Sequence, residues 1–258
     1  MSNYSALKIG VQFQTHEVAP PEYYKIVKSA LSIGVDSVFL WDHLVPFTGK
    51  QDDVAWDTWS LLGSVAPLFY GRINQLGVLV SPLSIREPAV LARSAVTIAL
   101  LGNGSFILGV GAGGFDYDDQ LTDAPRDLVS RMKLFDRRLQ VLCLEVGRLN
   151  AQLGTDISIW VGGSGERVTI PLAVKYADGW NGFGPPSGFA AKAVHLIQHD
   201  LELSVLLTPL DLENDLGKYF DAGARHVIRS LRPNQDLTFN LEIISAMISE
   251  RDRMMDSL

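Results

Sequence analysis

The chain has 258 residues, 47% of them hydrophobic and 20% charged, with a formal net charge of −7. That balance belongs to an ordinary globular protein, and without a basic cluster a nucleic-acid or anionic-membrane partner has no electrostatic footing. A single cysteine, Cys143, excludes an internal disulfide; its apolar neighbours Leu142 and Leu144 make it an expected core residue. The stretch from Met1 to Leu7 is polar and no apolar run reaches about 18 residues, so the expected compartment is the cytoplasm.

Eight times over, a short apolar stretch gives way to a helix-patterned one, at about 32 residues per unit, enough for a strand, a helix and two loops. The first strand is read over Lys8 to Phe13, with a helix over Pro21 to Ile33 that Pro20-Pro21 presets. Ser37 to Trp41 is the second strand, and Asp57 caps a helix running to Phe69. The third unit pairs Gln75 to Val80 with Glu87 to Leu101, and the fourth pairs Phe106 to Val110 with Leu128 to Glu145. The fifth pairs Ile157 to Val161 with a helix from Arg167 to Tyr176. Gly179 to Phe183 is a weak sixth strand, supported by its place in the repeat, with no helix assigned after it. Leu203 to Leu207 leads into Leu212 to Ala222, stopped by Gly223. His226 to Leu231 is the eighth strand, and Leu237 to Met255 closes the ring.

These strands are near-continuous apolar runs, as in a parallel sheet covered by helices. The expected fold is α/β, a single (β/α)8 TIM barrel over residues 1–258. A doubly wound open sheet is the competing reading, but it usually needs fewer strands and nothing marks a reversal of strand order. A closed barrel gathers all eight strand exits at one mouth, and the chemistry is sought there.

The second strand ends in Trp41-Asp42-His43, an imidazole beside a carboxylate that can carry a proton near neutral pH, or a capped turn with a loop histidine. The third ends in Val80-Ser81-Pro82, a backbone shelf or only a turn. The fourth runs into Gly109-Val110-Gly111-Ala112-Gly113-Gly114, where backbone can approach a ligand closely, though the spacing is not that of a dinucleotide fingerprint. The fifth exits through Gly162-Gly163-Ser164-Gly165 into a helix, a ready anion site with Ser164 and Arg167 alongside. The exits of strands seven and eight, Thr208-Pro209 and Arg232-Pro233, carry no such glycine cradle. Asp116, Asp118 and Asp119 read as a solvated acidic loop. The five histidines are scattered; His195 and His199 have the i, i+4 spacing on an expected solvent-facing helix but no glutamate between them, so no metal site is assigned. No G-x-S-x-G elbow supports a serine triad.

Three stretches together resemble the luciferase-like monooxygenase superfamily: Trp41-Asp42-His43-Leu44, the run from Leu76 to Gly113, and the run from Ile159 to Asn181. The subgroup most resembled uses the deazaflavin coenzyme F420, with the FMN branch close behind. The resemblance implies a cofactor ring across the mouth, a bulge with a non-prolyl cis peptide at about Val78 to Val80, and Leu79, Val80 and Ser81 against one ring face. It places Asp42 and His43 near the ring, His43 as proton donor or acceptor with Asp42 orienting it or binding the ring. Gly111, Ala112 and Gly113 would flank the cofactor, and Gly162, Gly163, Ser164 and Gly165 would hold its phosphate.

The chain departs from the pattern in three places. Gly114 stands where deazaflavin-dependent sugar-phosphate dehydrogenases carry a Glu. Gly102-Asn103-Gly104-Ser105 replaces a familiar Ser-Gly-Gly-Arg, leaving an arginine unaccounted for. Only Val146 to Asp156 separates the fourth helix from the fifth strand, a shortening that implies loss of part of a substrate lid. The expected function is hydride transfer between F420 and a small organic substrate. Its rivals are an FMN-dependent monooxygenase fed by a separate flavin reductase, and a non-catalytic flavin-binding barrel; a homodimer is one assembly open to any of them.

Overall fold

The computed structural model describes residues 7–46, 53–211 and 215–256. Eight strands, β1 (Lys8–Phe13), β2 (Ser37–Leu40), β3 (Gln75–Pro82), β4 (Ser105–Gly111), β5 (Asp156–Gly162), β6 (Gly179–Phe183), β7 (Glu202–Leu207) and β8 (His226–Leu231), pair in chain order, all parallel. β8 then pairs with β1, from Lys8 opposite His226 to Phe13 opposite Leu231, and the barrel closes. The open-sheet alternative is excluded. Helices α1 (Glu22–Ser32), α2 (Thr58–Val65), α3 (Pro88–Leu101), α4 (Asp116–Gln120), α5 (Leu128–Leu153), α6 (Thr169–Tyr176), α7 (Pro186–Ala193), α8 (Leu216–Asp221) and α9 (Glu242–Asp256) follow the strands.

The differences from the expected elements have local causes. Asp57 does cap α2, accepting from the Ser60 amide at 2.9 Å, but Pro67 lacks an N–H and the stretch Ala66–Phe69 tightens to a 3-10 turn. The sixth unit has a helix after all: Pro185-Pro186 sets the start of α7. His195 and His199 lie in the exposed turn beyond α7 and not on a helix. α6 begins at Thr169 rather than Arg167, and α9 at Glu242 rather than Leu237, whose φ of 61° is not helical. Part of the expected seventh helix, residues 212–214, lies outside the described residues; α8 begins beyond it, capped by Asp215 on the Lys218 amide at 3.0 Å.

α5 runs on through Val146 to Leu153 and stops at Gly154, whose left-handed φ of 68° ends it. The link to β5 is therefore Gly154 and Thr155 alone. A helix-to-strand connection in a parallel barrel lies at the N-terminal face, away from the mouth, so its brevity removes no lid. Cys143 is half-buried on α5 rather than in the core, its thiol donating to the Tyr176 carbonyl at 3.5 Å.

Alternation of side chains across each strand divides the apolar residues into two sets. One set packs outward under the helices; the other fills the lumen with Phe39, Leu79, Ile107, Trp160 and Ile228. Large rings fit there because facing positions are glycine. A Cβ on Gly77 would stand 2.6 Å from the Phe39 ring, and one on Gly179 would stand 2.6 Å from the Trp160 ring. Truncating either ring to alanine would cost about 3–5 kcal/mol by the usual cavity cost.

The floor of the barrel is polar. His226 bonds Ser37 Oγ at 2.7 Å and Glu202 Oε1 at 3.2 Å, and Lys8 Nζ donates to Glu202 at 2.9 Å. Ser37 and His226 are fully buried, sealed from solvent by the lumen plug above them. Burial holds His226 below the ordinary imidazole pKa. Burial pushes Glu202 upward, but its bonds to His226 and Lys8 outweigh that and bring it down to about 2. At neutral pH the floor thus pairs a neutral imidazole with a Lys8–Glu202 ion pair.

Candidate active site

At the exit of β3 the peptide between Leu79 and Val80 is cis, and the register with β4 shifts between Val78 and Ser81. This is the bulge expected at about Val78 to Val80. The Val80 side chain lies across the glycines of the two following strands. A Cβ on Gly111 would come within 3.0 Å of Val80 Cγ2, and one on Gly162 within 2.7 Å of Val80 Cγ1. The glycines at these strand ends are what let Val80 sit inside the mouth, and it is partly exposed there. Below it, buried Gln12 donates to the Leu79 carbonyl.

Asp42, 1% exposed, turns to β3 and the start of α3. Its Oδ2 accepts from Ser81 Oγ at 2.7 Å, Trp59 Nε1 at 3.1 Å and Arg86 Nε at 3.0 Å, while Oδ1 accepts from Arg86 Nη2 at 2.5 Å. Ser81, expected as part of the shelf, spends its hydroxyl on Asp42. Arg86 also reaches Asp57, at 3.3 Å. Burial works against its charge, but the bonds and charges of Asp42 and Asp57 prevail and raise its pKa. Nothing in the local sequence marks Arg86 as the partner of a residue 44 positions away.

His43 is approached by a different carboxylate. Its Nδ1 lies 2.7 Å from Asp118 Oδ2, and its ring packs edge-to-face against Trp41 at 4.9 Å and Phe115 at 5.3 Å. Asp118 and Asp119, expected to be solvated, are 3% and 4% exposed. They sit on α4, which folds back over the mouth. Asp119 faces Arg131 at 3.7 Å, and Arg131 Nη2 donates to the Arg126 carbonyl at 2.7 Å.

The segment after β4 is shaped by two side chains from elsewhere. Ser84 Oγ occupies the place of a Cβ on Gly113, and the Arg131 guanidinium occupies that of a Cβ on Gly114, whose φ is 109°. An arginine thus fills the room next to the position where a glutamate was missed. Ser84 Oγ, Asp119 Oδ1 and Arg131 Nε are buried without a hydrogen-bond partner.

His16, set aside in the sequence as one of five scattered histidines, is 1% exposed and stacks 5.5 Å from the Trp41 ring. Its Nδ1 has no partner, and burial lowers its pKa despite the nearby carboxylates of Glu17 and Asp53. Among the described residues no group of three or more His, Cys, Asp or Glu side chains gathers as a metal site. No described helix is long and apolar enough to cross a membrane.

After β5, the Gly163 amide goes to the Asn181 carbonyl at 3.2 Å, and the amides of Val168 and Ile170 go to the Gly165 carbonyl. Gly163 is therefore engaged within the fold. The amides of Ser164, Gly165, Glu166 and Arg167 carry no bond among the described residues, and no side chain caps α6. A set of unpaired N–H groups before a helix is chemically suited to a phosphate.

The family described as luciferase-like monooxygenase matches residues 7–133. Over that stretch, just under half of the chain, the protein is similar to luciferase-like monooxygenases. In fold the chain is similar to an F420-dependent secondary alcohol dehydrogenase solved in complex with an F420–acetone adduct, with a TM-score of 0.74. The match has 14% identity over 94% of this chain and 97% of that one, and so speaks for the fold. The FMN-bound oxygenating constituent of 3,6-diketocamphane monooxygenase from Pseudomonas putida aligns with a TM-score of 0.57 and 16% identity, over 78% of this chain and 67% of that one. In sequence, the chain is similar to the F420-dependent glucose-6-phosphate dehydrogenase of Amycolatopsis mediterranei (strain U-32), 32% identical over 108 residues. That match covers 42% of this chain and 32% of the relative. The chain spans between about a third and a half of the length of curated relatives such as these.

Proposed function

We propose that residues 1–258 form one luciferase-like oxidoreductase domain that moves a hydride between coenzyme F420 and a small organic substrate. The observation that carries this reading is the shelf at the mouth, where Val80 crosses Gly111 and Gly162 and leaves the ends of β4 and β5 without side chains of their own. A flat ring system needs a surface of that kind, and a Cβ at either glycine would disturb it.

Leu79, Val80 and Ser81 form the shelf, with Gly111, Ala112 and Gly113 beside it. The amides from Ser164 to Arg167 would hold the phosphate, with the Ser164 hydroxyl as a further donor. Gly162 and Gly163 serve that site by shape, since the Gly163 amide is already bonded. F420 supplies two-electron hydride chemistry when bound. His43 gives or takes the substrate's proton at Nε2. Asp42 acts at a distance, holding Ser81 and so the shelf through its bond at 2.7 Å.

The FMN-bound neighbour supports a second reading, a monooxygenase that receives reduced flavin from a separate reductase; both cofactors share a tricyclic ring and a phosphate. Titration of the apoprotein with F420 and with FMN separates the two, with the tighter dissociation constant expected for F420. Ser164→Asp should weaken cofactor binding, and His43→Ala should lower turnover with binding near normal. Equal turnover in the His43 variant removes its assigned role. Tight binding of both cofactors with no turnover across a broad substrate screen would favour the non-catalytic barrel.

A further inference from the structure

We propose that Asp118 is a positioning residue, which fixes the tautomer and orientation of His43 by accepting the Nδ1 proton. The inference rests on the preceding reading only for its catalytic consequence; the geometry stands without it. Asp118 Oδ2 lies 2.7 Å from His43 Nδ1, and the two residues are 75 positions apart. The other oxygen, Oδ1, accepts from the backbone amides of Leu44 at 2.9 Å and Val45 at 3.3 Å. One buried carboxylate therefore grips both the imidazole and the backbone that follows it.

A carboxylate has no proton to offer at neutral pH, so Nδ1 must donate and the lone pair of the neutral ring falls on Nε2. The ring cannot easily turn away. Trp41 and Phe115 stand edge-to-face against it, and Phe115 leads into the helix that carries Asp118. When Nε2 gains a proton, the charge that appears on the ring faces a carboxylate already in place. The β4–α5 connection thus supplies the orienting group for a proton carrier at the end of β2. In a chain with glycine at 114, this connection still brings an acidic side chain to His43.

The rival account is that Asp118 only pins the loop through the Leu44 and Val45 amides. Asp118→Asn separates the two, because its carbonyl oxygen can still accept from those amides while its amide group can only donate toward His43. Nitrogen-15 NMR of the imidazole reads the tautomer without any substrate. The wild type is expected to show the Nδ1–H form at pH 8, and Asp118→Asn the Nε2–H form. With a turned-over substrate, the variant should lose about a hundredfold or more in kcat with KM changed only a few-fold, and Asp118→Glu should recover the Nδ1–H form. An Nε2–H ring in the wild type, or unchanged His43 shifts in Asp118→Asn, overturns the proposal; the wild-type spectrum decides even if the variant fails to fold. A tautomer switch in a protein that turns over no substrate supports the positioning and discards the oxidoreductase reading alone.

Discussion

Arg86 grips Asp42 with both arms of its guanidinium, Nε at 3.0 Å and Nη2 at 2.5 Å, across 44 residues of chain. Such bidentate pairs are among the stronger polar contacts, and this one surrounds a carboxylate that is 1% exposed. Removing the cation strands the anion. Arg86→Leu is expected to cost about 3 kcal/mol or more, since breaking a buried pair leaves an uncompensated charge. Asp42→Asn should cost less, because the amide keeps an acceptor for Ser81 and Trp59. Urea unfolding measures both; a loss below about 0.5 kcal/mol in Arg86→Leu would show that the pair matters little to the fold.

The contact between Val80 and Gly162 makes a coupled pair. Gly162→Ala puts a methyl 2.7 Å from Val80 Cγ1, and overpacking of this kind costs about 1–3 kcal/mol. In a Val80→Ala background the same change should cost at least about 1 kcal/mol less. Additive losses in the double-variant cycle would mean that the two residues do not press on each other.

Restoring a carboxylate after the fourth-strand glycines should fail. Gly114→Glu meets the Arg131 guanidinium and a φ of 109° that side chains rarely adopt. A loss of about 1–3 kcal/mol is expected. Adding Arg131→Ala should return only part of it, since the backbone conformation remains. Full recovery in the pair would assign the whole cost to Arg131.

Acid should weaken the protein in two stages. His226 and His16 both have folded pKa values below the ordinary 6.5, so the unfolded chain binds more protons and stability falls as pH drops below about 6.5. Glu202, lowered from 4.5 to about 2, adds stability that is present above pH 4.5 and lost between there and about 2. At about 1.4 kcal/mol per unit, that second stage is on the order of 3 kcal/mol. Glu202→Gln should flatten it. A pH series of urea midpoints gives the test, and a level profile from pH 7 to pH 4 would contradict the first stage.

The barrel and the place of its mouth were legible because they are written in local signals: eight apolar runs, the prolines that open α1 and α3, and glycines where strands end. The bulge near Val80 was anticipated through resemblance. What could not be read was pairing at a distance. Asp118 looked like one of three solvated acids, because nothing beside it reveals the imidazole it meets. Neither Arg86 nor Arg131 could be singled out in the sequence, for the same reason. His16 was passed over because burial against Trp41 is a property of the closed barrel and not of the loop that bears it. The supposed lid failed for another reason, since a segment's length says nothing about the face of the cylinder on which it lies.

The short link between α5 and β5 has a practical meaning. Ala151 to Gly154 are exposed, and a side chain built on Gly154 would touch nothing within 4 Å. Exposed turns with few contacts tolerate insertion and new termini best. A reporter tag or a circular permutation opened there would leave the opposite rim intact, giving a handle by which this cylinder can be immobilised with its chemistry facing outward.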